Sequence, residues 1–313
     1  IIDGVSKLPP GHRLVFQDGQ IQIERYWDIS NKEINCREQD CIEQLSELIQ
    51  DSVHKRLMSD VPIGAFLSGG IDSSTVIAFM SSGSDNPIEA FSIGFHDETY
   101  NELAYARKSA RHFGAVHHTE ILQPDIVDLT QKLVAHLDEP LADFSIFPTY
   151  LVSKLASQHV KVVLSGDGGD EIFAGYDTYV AQQIDAYYRV LPARLRQDAL
   201  PRLMAMIPPQ RAKKGFINKS KRFVEGAALE ESLQHSRWMM FLNSADRKKL
   251  YQPWLQAELN GASATSLLQS QFNQAAQREA LTQQQYVDIK TYLADNIQTK
   301  DYRNSMAESE ETR

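Results

Sequence analysis

Two short stretches hold residue types that could do chemistry on an anion. The first is Ser68-Gly69-Gly70-Ile71-Asp72-Ser73-Ser74, which follows the apolar Phe66-Leu67 and leads into an apolar helical segment. Glycines admit a ligand close to the backbone, N–H groups of a turn and a helix start donate to anionic oxygens, and serine hydroxyls add further donors. The run reads as a phosphate cradle. A carboxylate among phosphates would repel them unless a hard cation lies between, so Asp72 predicts magnesium bridging its side chain and the phosphate oxygens. An ordinary strand-to-helix turn, with Gly for geometry and Ser for capping, explains a Gly-Ser pair but explains the whole run poorly. The second stretch, Ser165-Gly166-Asp167-Gly168-Gly169-Asp170-Glu171, follows the apolar Val162-Val163-Leu164. Glycines and acids directly after a buried strand are costly to place unless something polar binds there; an Asx-rich surface turn is the competing account. Facing the first loop, it would supply Asp170 as a second ligand of the same magnesium and Asp167 as a general base or electrostatic guide.

Short apolar runs alternating with helical patterns must position these loops. Strands are expected at 63–67, 88–93, 116–121 and 160–164, with helices near 73–81, 101–113, 125–137 and 146–157. Thr99-x-x-Glu102 offers a capping box and Gly114 a left-handed cap for the second helix. Alternation of this kind specifies an α/β fold, a doubly wound parallel sheet with helices on both faces, and ligands bind beyond the carboxyl ends of its strands where the winding reverses. Ahead of it, His12–Phe16 and Ile21–Trp27 form a hairpin around Asp18-Gly19, and Cys41, Leu45, Leu48, Ile49, Val53 and Leu57 line one helical face. After about residue 177 strand signals vanish. Gln-, Ala-, Leu- and Glu-rich segments, broken at Pro192, Pro201, Pro208-Pro209, Pro253 and Gly261, read as a mostly helical region.

The first run is neither a Walker A loop nor a dinucleotide-binding glycine motif. It resembles the pyrophosphate loop of ATP pyrophosphatases. Together with Ser165 to Tyr176, Asp138-Glu139-Pro140-Leu141-Ala142-Asp143, the segment Phe147 to Lys154, and Asp295 through Arg313, it resembles the synthetase domain of glutamine-dependent asparagine synthetases. That resemblance implies an adenine nucleotide α-hydrolase-like sheet of five-stranded type, ATP and magnesium as cofactors, adenylation of a carboxylate such as aspartate, and displacement of AMP by ammonia. Carried over by motif, Phe66 and Ile93 would flank the adenosine, and Ser165 and Gly166 would contact the nucleotide. Ser68, Gly70, Ser73 and Ser74 would hold the β and γ phosphates around the Gly69 turn, and Asp72 with Asp170 the metal. Asparagine-forming members carry a catalytic Glu at the place of Asp167, one methylene longer, and the Asp form also suits relatives that amidate other carboxylates, such as sugar acids. Alternatives are another user of this loop, such as a sulfur-transfer or NAD-type synthetase, and an ATP sensor without turnover.

The resemblance divides the chain into 1–39, the tail of a glutaminase domain, 40–176, the ATP-binding core, and 177–313, a helical subdomain. The family pattern runs on past Glu311-Thr312-Arg313 to a lysine that contacts pyrophosphate, so a fragment is expected, weak in turnover by itself and taking ammonia from solution. The chain has 313 residues, 42% of them hydrophobic, enough for a sizeable core. Its 32 Lys and Arg against 41 Asp and Glu give a net charge of −9, which argues against nucleic-acid or membrane partners. No long apolar run or secretory start is seen, so a cytoplasmic protein is expected, with the oligomeric state left open, a homodimer included. Cys36 and Cys41 read as two reduced, inert thiols, and His117-His118 as a partly buried structural pair. His136 reads as a helix-end histidine, Lys213, Lys214, Lys219, Lys221 and Arg222 as a solvated helix face, and Arg303, Glu308, Glu310, Glu311 and Arg313 as surface charge.

Overall fold

The structure is a computed structural model that describes the chain except Ile1, Ile2, Asn31, Glu33, Glu98, Tyr100, 123–125, Asp138, Pro209, 211–214, Glu230, Phe241, Asn243 and 261–262. Pro209, Lys213, Lys214 and Gly261, read above as breaks and basic face, therefore lie outside the described residues, as does Asp138. Two compact units are present: residues 1–168 with 293–313, and residues 169–292. The expected boundary at 176–177 differs from this, chiefly because the last segment belongs to the first unit rather than to the helical one.

In the first unit, the hairpin pairs β1 (His12–Gln17) with β2 (Gln20–Arg25), and α1 (Glu38–Arg56) leads to the sheet. Its members are β3 (Ile63–Phe66), β4 (Glu89–Gly94), β5 (Val116–Ile121), β6 (Val162–Leu164) and β7 (Glu311–Thr312), ordered β5-β4-β3-β6-β7 and parallel throughout. The helices are α2 (Ile71–Ser82), α3 (Leu103–Phe113), α4 (Ile126–His136) and α5 (Ile146–Ala156). Side-chain alternation sorts the strands' residues onto two faces. Ala65, Ala90, Val162 and Leu164 pack with Val53 of α1, Ile77 and Met80 of α2 and Ala106 and Ala110 of α3. Phe66, Phe91 and Val163 pack on the other face with Val152, Leu155 and Ala156 of α5. Both faces are covered, which is the doubly wound arrangement. Winding starts at β3, runs outward through β4 to β5, then returns to β6 on the opposite side of β3, so the direction reverses between β3 and β6. Ligands in such sheets sit at that point, beyond the strands' carboxyl ends.

Local chemistry agrees in part. Gly114 ends α3 at φ 68°, the left-handed cap expected of it. The capping box does not form: α3 starts later than a Thr99 cap requires, Glu102 occupies the N-cap, and Asn101 Oδ1 accepts the Leu103 N–H at 3.1 Å. Of the α1 stripe, Val53 is buried and Ile49 and Leu57 pack against the core, while Leu45 and Leu48 stay exposed. The two cysteines are a disulfide, not free thiols: α1 begins between them and brings Cys36 and Cys41 to a Cα separation of 6.2 Å.

After Gln298–Ala307, the helix α6 of this unit's returning segment, the chain adds β7, a strand that the sequence pattern does not announce. Strand alternation turns Glu311 outward and Glu310 inward, so Glu310, expected as surface charge, is only 2% exposed. Burial pushes its carboxyl up to about 8, against the opposing charge of Lys161. Relative to an unfolded value near 4.5, the folded chain holds an extra proton, so this contribution to stability is complete at low pH and is lost as pH rises toward about 8. Glu310→Gln is expected to flatten that decline, gaining on the order of 1–3 kcal/mol over wild type between about pH 5 and pH 9. Parallel melting curves for the two proteins across that range would refute the assignment.

The second unit is helical. Its helices are Gly169–Phe173, Asp177–Tyr188, Leu200–Met206, Phe216–Ala227, Glu231–Met239, Ser244–Leu250, Pro253–Leu259, Ala264–Gln274 and Ala280–Asp288. Pro201 and Pro253 open helices rather than merely ending them, since a first-turn N–H has no intrahelical acceptor to lose. At its centre Asp288 accepts from the Tyr179 hydroxyl at 2.7 Å and from His235 Nε2 at 2.8 Å, all three side chains being buried. Among the described residues no helix is long and apolar enough to cross a membrane.

Candidate active site

The β3–α2 turn is built from its own hydroxyls. The Ser68 N–H donates to Ser73 Oγ at 3.2 Å, the Ser68 and Ser73 hydroxyls lie 2.9 Å apart, and the Gly70 N–H donates to Ser68 Oγ at 3.2 Å. Gly70 is the N-cap of α2, whose first-turn N–H groups are the donors a helix cannot satisfy internally. Gly69 adopts φ +84°, and a Cβ there would lie 2.4 Å from the Ala106 nitrogen and 2.5 Å from the Tyr105 carbonyl carbon. Its glycine therefore answers first to the approach of α3. Ser74 differs from the other hydroxyls, being joined to Ser109 Oγ of α3 at 2.6 Å.

The loop after β6 is held where it leaves the sheet, since the Ser165 N–H donates to the Arg313 carbonyl at 3.2 Å. Ser165 Oγ donates to Asp167 Oδ2 at 2.7 Å and accepts from the Asp167 N–H at 3.2 Å. Gly166 is the junction of the two loops. A Cβ at that position would come within 2.7 Å of the Ser73 nitrogen and 3.0 Å of the Asp72 carbonyl carbon. The strand register explains the meeting, because Ala65 pairs with Leu164 and the two chains leave the sheet side by side. Burial first, and then the Asp167 charge, raise the Asp72 carboxyl above the ordinary aspartate range. Two carboxylates gathered at backbone donors suit a hard cation between them and an anion.

Beside the first loop lies a cavity of about 200 Å³ lined by Phe66, Ser68, Ile93, Phe95, Pro148 and Val152. It brings together Phe66 and Ile93 from two strands, with Pro148 and Val152 contributed by the Phe147–Lys154 segment on α5. A second cavity, about 640 Å³, is lined by Lys7, Glu139, Leu141, Asp295, Thr299 and Arg303. Glu139 forms an ion pair with Lys7 at its rim. Farther along the same segment, Asn296 donates to Asp143 Oδ2 at 3.3 Å and Asn304 to the Ile146 carbonyl at 3.3 Å.

A family model described as asparagine synthase matches residues 44–313. The chain belongs to the asparagine synthase family. It is 29% identical over 99% of its length to asparagine synthetase (glutamine-hydrolyzing) 1 of Bacillus subtilis, of which it covers 47%. To asparagine synthetase B (glutamine-hydrolyzing) of Escherichia coli it is 31% identical over 55% of its length, covering 34% of that protein. Similarity also extends to amidase chyE of Penicillium rubens, 27% identical over 74% of the chain and 38% of the relative. The chain thus spans less than half the length of these relatives.

Within this asparagine synthase domain, Phe66, Ser68, Gly69, Gly70, Asp72, Ser73, Ser74, Ile93, Ser165, Gly166 and Asp167 all fall in the first unit. Asp170 opens the helix Gly169–Phe173 in the second unit. Among the described residues no group of three or more His, Cys, Asp or Glu side chains stands ready as a metal cluster. The paired histidines are structural: His117 Nε2 meets Ser92 Oγ at 2.7 Å, and His118 meets Glu89 at 2.5 Å while stacking on Phe91. His136 Nδ1 lies 3.1 Å from the Lys132 carbonyl at the end of α4. Of the basic run, Lys219 pairs with Asp177 at 2.6 Å in the second unit. Sequence reasoning missed Lys300 and Asp301, each 7% exposed, the first hydrogen-bonded to Ser145 at 3.1 Å and the second 3.6 Å from the Lys300 Nζ. Their signal was faint, a Lys-Asp pair within an ordinary amphipathic helix.

Proposed function

We propose that this chain carries the ATP-dependent amidation step of an asparagine synthetase-type ligase. A carboxylate oxygen attacks the α-phosphate of ATP, pyrophosphate leaves, and ammonia then displaces AMP from the acyl-adenylate to give an amide. The supporting observation is the seating of Gly166 against Asp72 and Ser73, which joins two glycine loops beside the cavity lined by Phe66 and Ile93. In this reading that cavity takes the adenine nucleoside, with Ser165 and Gly166 at its inner edge. The α2 N-terminus, Ser68, Gly69, Gly70, Ser73 and Ser74 receive the phosphates. Asp72 holds magnesium, which when bound offsets the phosphate charge; Asp170 is proposed as a further ligand on its position in the motif alone. Asp167 accepts the proton that the attacking nitrogen must lose.

Aspartate is the proposed acceptor. A different carboxylate, such as a sugar acid, is the second reading, and it is favoured by the shorter Asp167 side chain. The names of the relatives support a glutaminase domain in the whole protein as the source of ammonia, and a cytoplasmic setting is part of the proposal. Incubation of the protein with ATP, magnesium, aspartate and ammonia is expected to yield AMP and pyrophosphate, and recovery of ADP would refute the mechanism. In calorimetry, Asp72→Ala is expected to abolish the magnesium dependence of ATP binding; an unchanged titration would remove Asp72 from the site.

A further inference from the structure

The first half of α1 has little to hold it. From Glu38 to Leu48 every residue except Asp40 is exposed, Ile42, Leu45 and Leu48 included. The helix joins the core only from Ile49 onward, through Ile49, Val53 and Leu57 and through His54 Nε2, which lies 3.2 Å from the Phe79 carbonyl. A helical stretch as short as the exposed part is marginal in water by itself. Its start also lacks a side-chain cap: Arg37 occupies the N-cap, where Ser, Thr, Asp or Asn would bond the first turn, and makes no such bond. Arg37 turns instead to Asp40, Nε to Oδ2 at 3.1 Å, an exposed pair that contributes little. The disulfide is what remains. With Arg37 as N-cap, Cys36 stands one residue before it and Cys41 at the fourth helical position, the two places that a hydrophobic staple joins by contact at other helix starts. Here the join is covalent.

We propose that the Cys36–Cys41 disulfide is a redox-active staple, a site for an external dithiol at which oxidation fastens the first turns of α1 and reduction releases them. Cys41 is exposed and Cys36 half-buried, so an attacking thiolate reaches the Cys41 sulfur. A mixed disulfide forms on Cys41, and Cys36 leaves as the thiolate. The second thiol of the reductant then displaces Cys41 and closes the reductant's own disulfide, so that two electrons and two protons pass from the dithiol to the two cysteines. Exposed disulfides are the labile ones, whereas sealed structural disulfides resist reduction by the glutathione pool. The cysteines are only 5 residues apart in sequence, so opening the bond leaves the fold intact and acts on what it spans. The Cys41 N–H, which donates to the Arg37 carbonyl at 3.0 Å, loses its clamp, and the unsupported turns fray back toward Ile49. The angle at which the chain enters α1 from the β1–β2 hairpin is then no longer fixed.

Alkylation and hydrogen exchange, both read by mass spectrometry on the full chain purified without reductant, test the staple. Alkylation of the native protein is expected to find both cysteines blocked, and both labelled after dithiothreitol without any denaturant. Reduction is expected to speed amide exchange in residues 42–48 about 10–50-fold and to leave residues 49–57 within about twofold. Cys36→Ala combined with Cys41→Ala is expected to exchange at the fast rate with or without reductant. Cys36→Val combined with Cys41→Leu, which rebuilds the contact without sulfur, is expected to exchange at an intermediate rate that reductant leaves unchanged. A glutathione buffer at the ratio of a reducing cell compartment is expected to open the bond in the folded wild type. Free thiols in the protein purified without reductant, a bond that opens only in denaturant, or equal exchange in the two redox states overturns the proposal. None of these readouts needs ATP or turnover, so they stand or fall apart from the amidation reaction.

Discussion

Gly69→Ala is expected to destabilise the protein by about 3–5 kcal/mol, far beyond the ordinary penalty for replacing a glycine in a left-handed turn. Adding a Cβ at φ +84° carries a conformational cost of roughly 1–2 kcal/mol. The larger share is steric, because the new atom would lie 2.4 Å from the Ala106 nitrogen and 2.5 Å from the Tyr105 carbonyl carbon. Both are backbone atoms and cannot rotate aside, so the start of α3 must move, and Ala106 and Ala110 leave their seats in the core. Gly114 provides the control on the same helix, since it has φ +68° with nothing within 4 Å of where a methyl would stand, and Gly114→Ala is expected to cost only about 1 kcal/mol. Urea unfolding of the two variants measures the difference. Equal losses would mean that the turn and α3 are not in the close contact described. In Gly69→Ala the donors of the α2 N-terminus also shift with the turn, so ATP affinity is expected to fall by at least about tenfold even where the protein remains folded.

Asp288→Ala is expected to remove about 3–5 kcal/mol from the helical unit. Asp288 accepts from the Tyr179 hydroxyl at 2.7 Å and from His235 Nε2 at 2.8 Å, and none of the three side chains reaches solvent appreciably. Truncation strands two buried donors at once, each leaving roughly 1–3 kcal/mol of unrecovered desolvation. Tyr179→Phe removes one donor cleanly while its ring keeps stacking on His235, and is expected to cost about 1–2 kcal/mol. Urea unfolding followed by near-ultraviolet circular dichroism reports both variants. A loss below about 1 kcal/mol in Asp288→Ala would show that water replaces the carboxylate and that the site is not sealed.

Much of the first unit was legible because its signals are local. The runs 63–66 and 89–94 are apolar and bounded by polar turns, so their strand character follows from composition, and Gly114 announces its own helix end. The Ser68 to Ser74 run was equally readable as a strand-to-helix turn, since its glycines and serines fall between an apolar strand and an apolar helix. The capping box was misread because Thr99 and Asn101 compete for the same helix start, and a preference of a fraction of a kcal/mol decides between them. The cysteines were misread as inert because spacing alone does not show that α1 starts between them. Glu310 was placed on the surface because a two-residue strand has no periodicity to detect.

What the linear chain determined by itself was the fold class and the place of the two glycine-rich turns, for each depends on residues adjacent in sequence whose physics is complete within a few positions. Family membership follows from the same runs. Only the tertiary structure decided which residues stand together around those loops. Gly166 meets Asp72 because β3 and β6, separated by almost a hundred residues of chain, lie side by side in the sheet. Glu310 is buried because the segment after residue 292 returns to the first unit and adds a strand to its edge. Such contacts come from the closure of long loops, whose entropic cost depends only weakly on length. Local sequence pattern therefore carries almost no trace of them, and a carboxyl buried as Glu310 is emerges only from the packed structure.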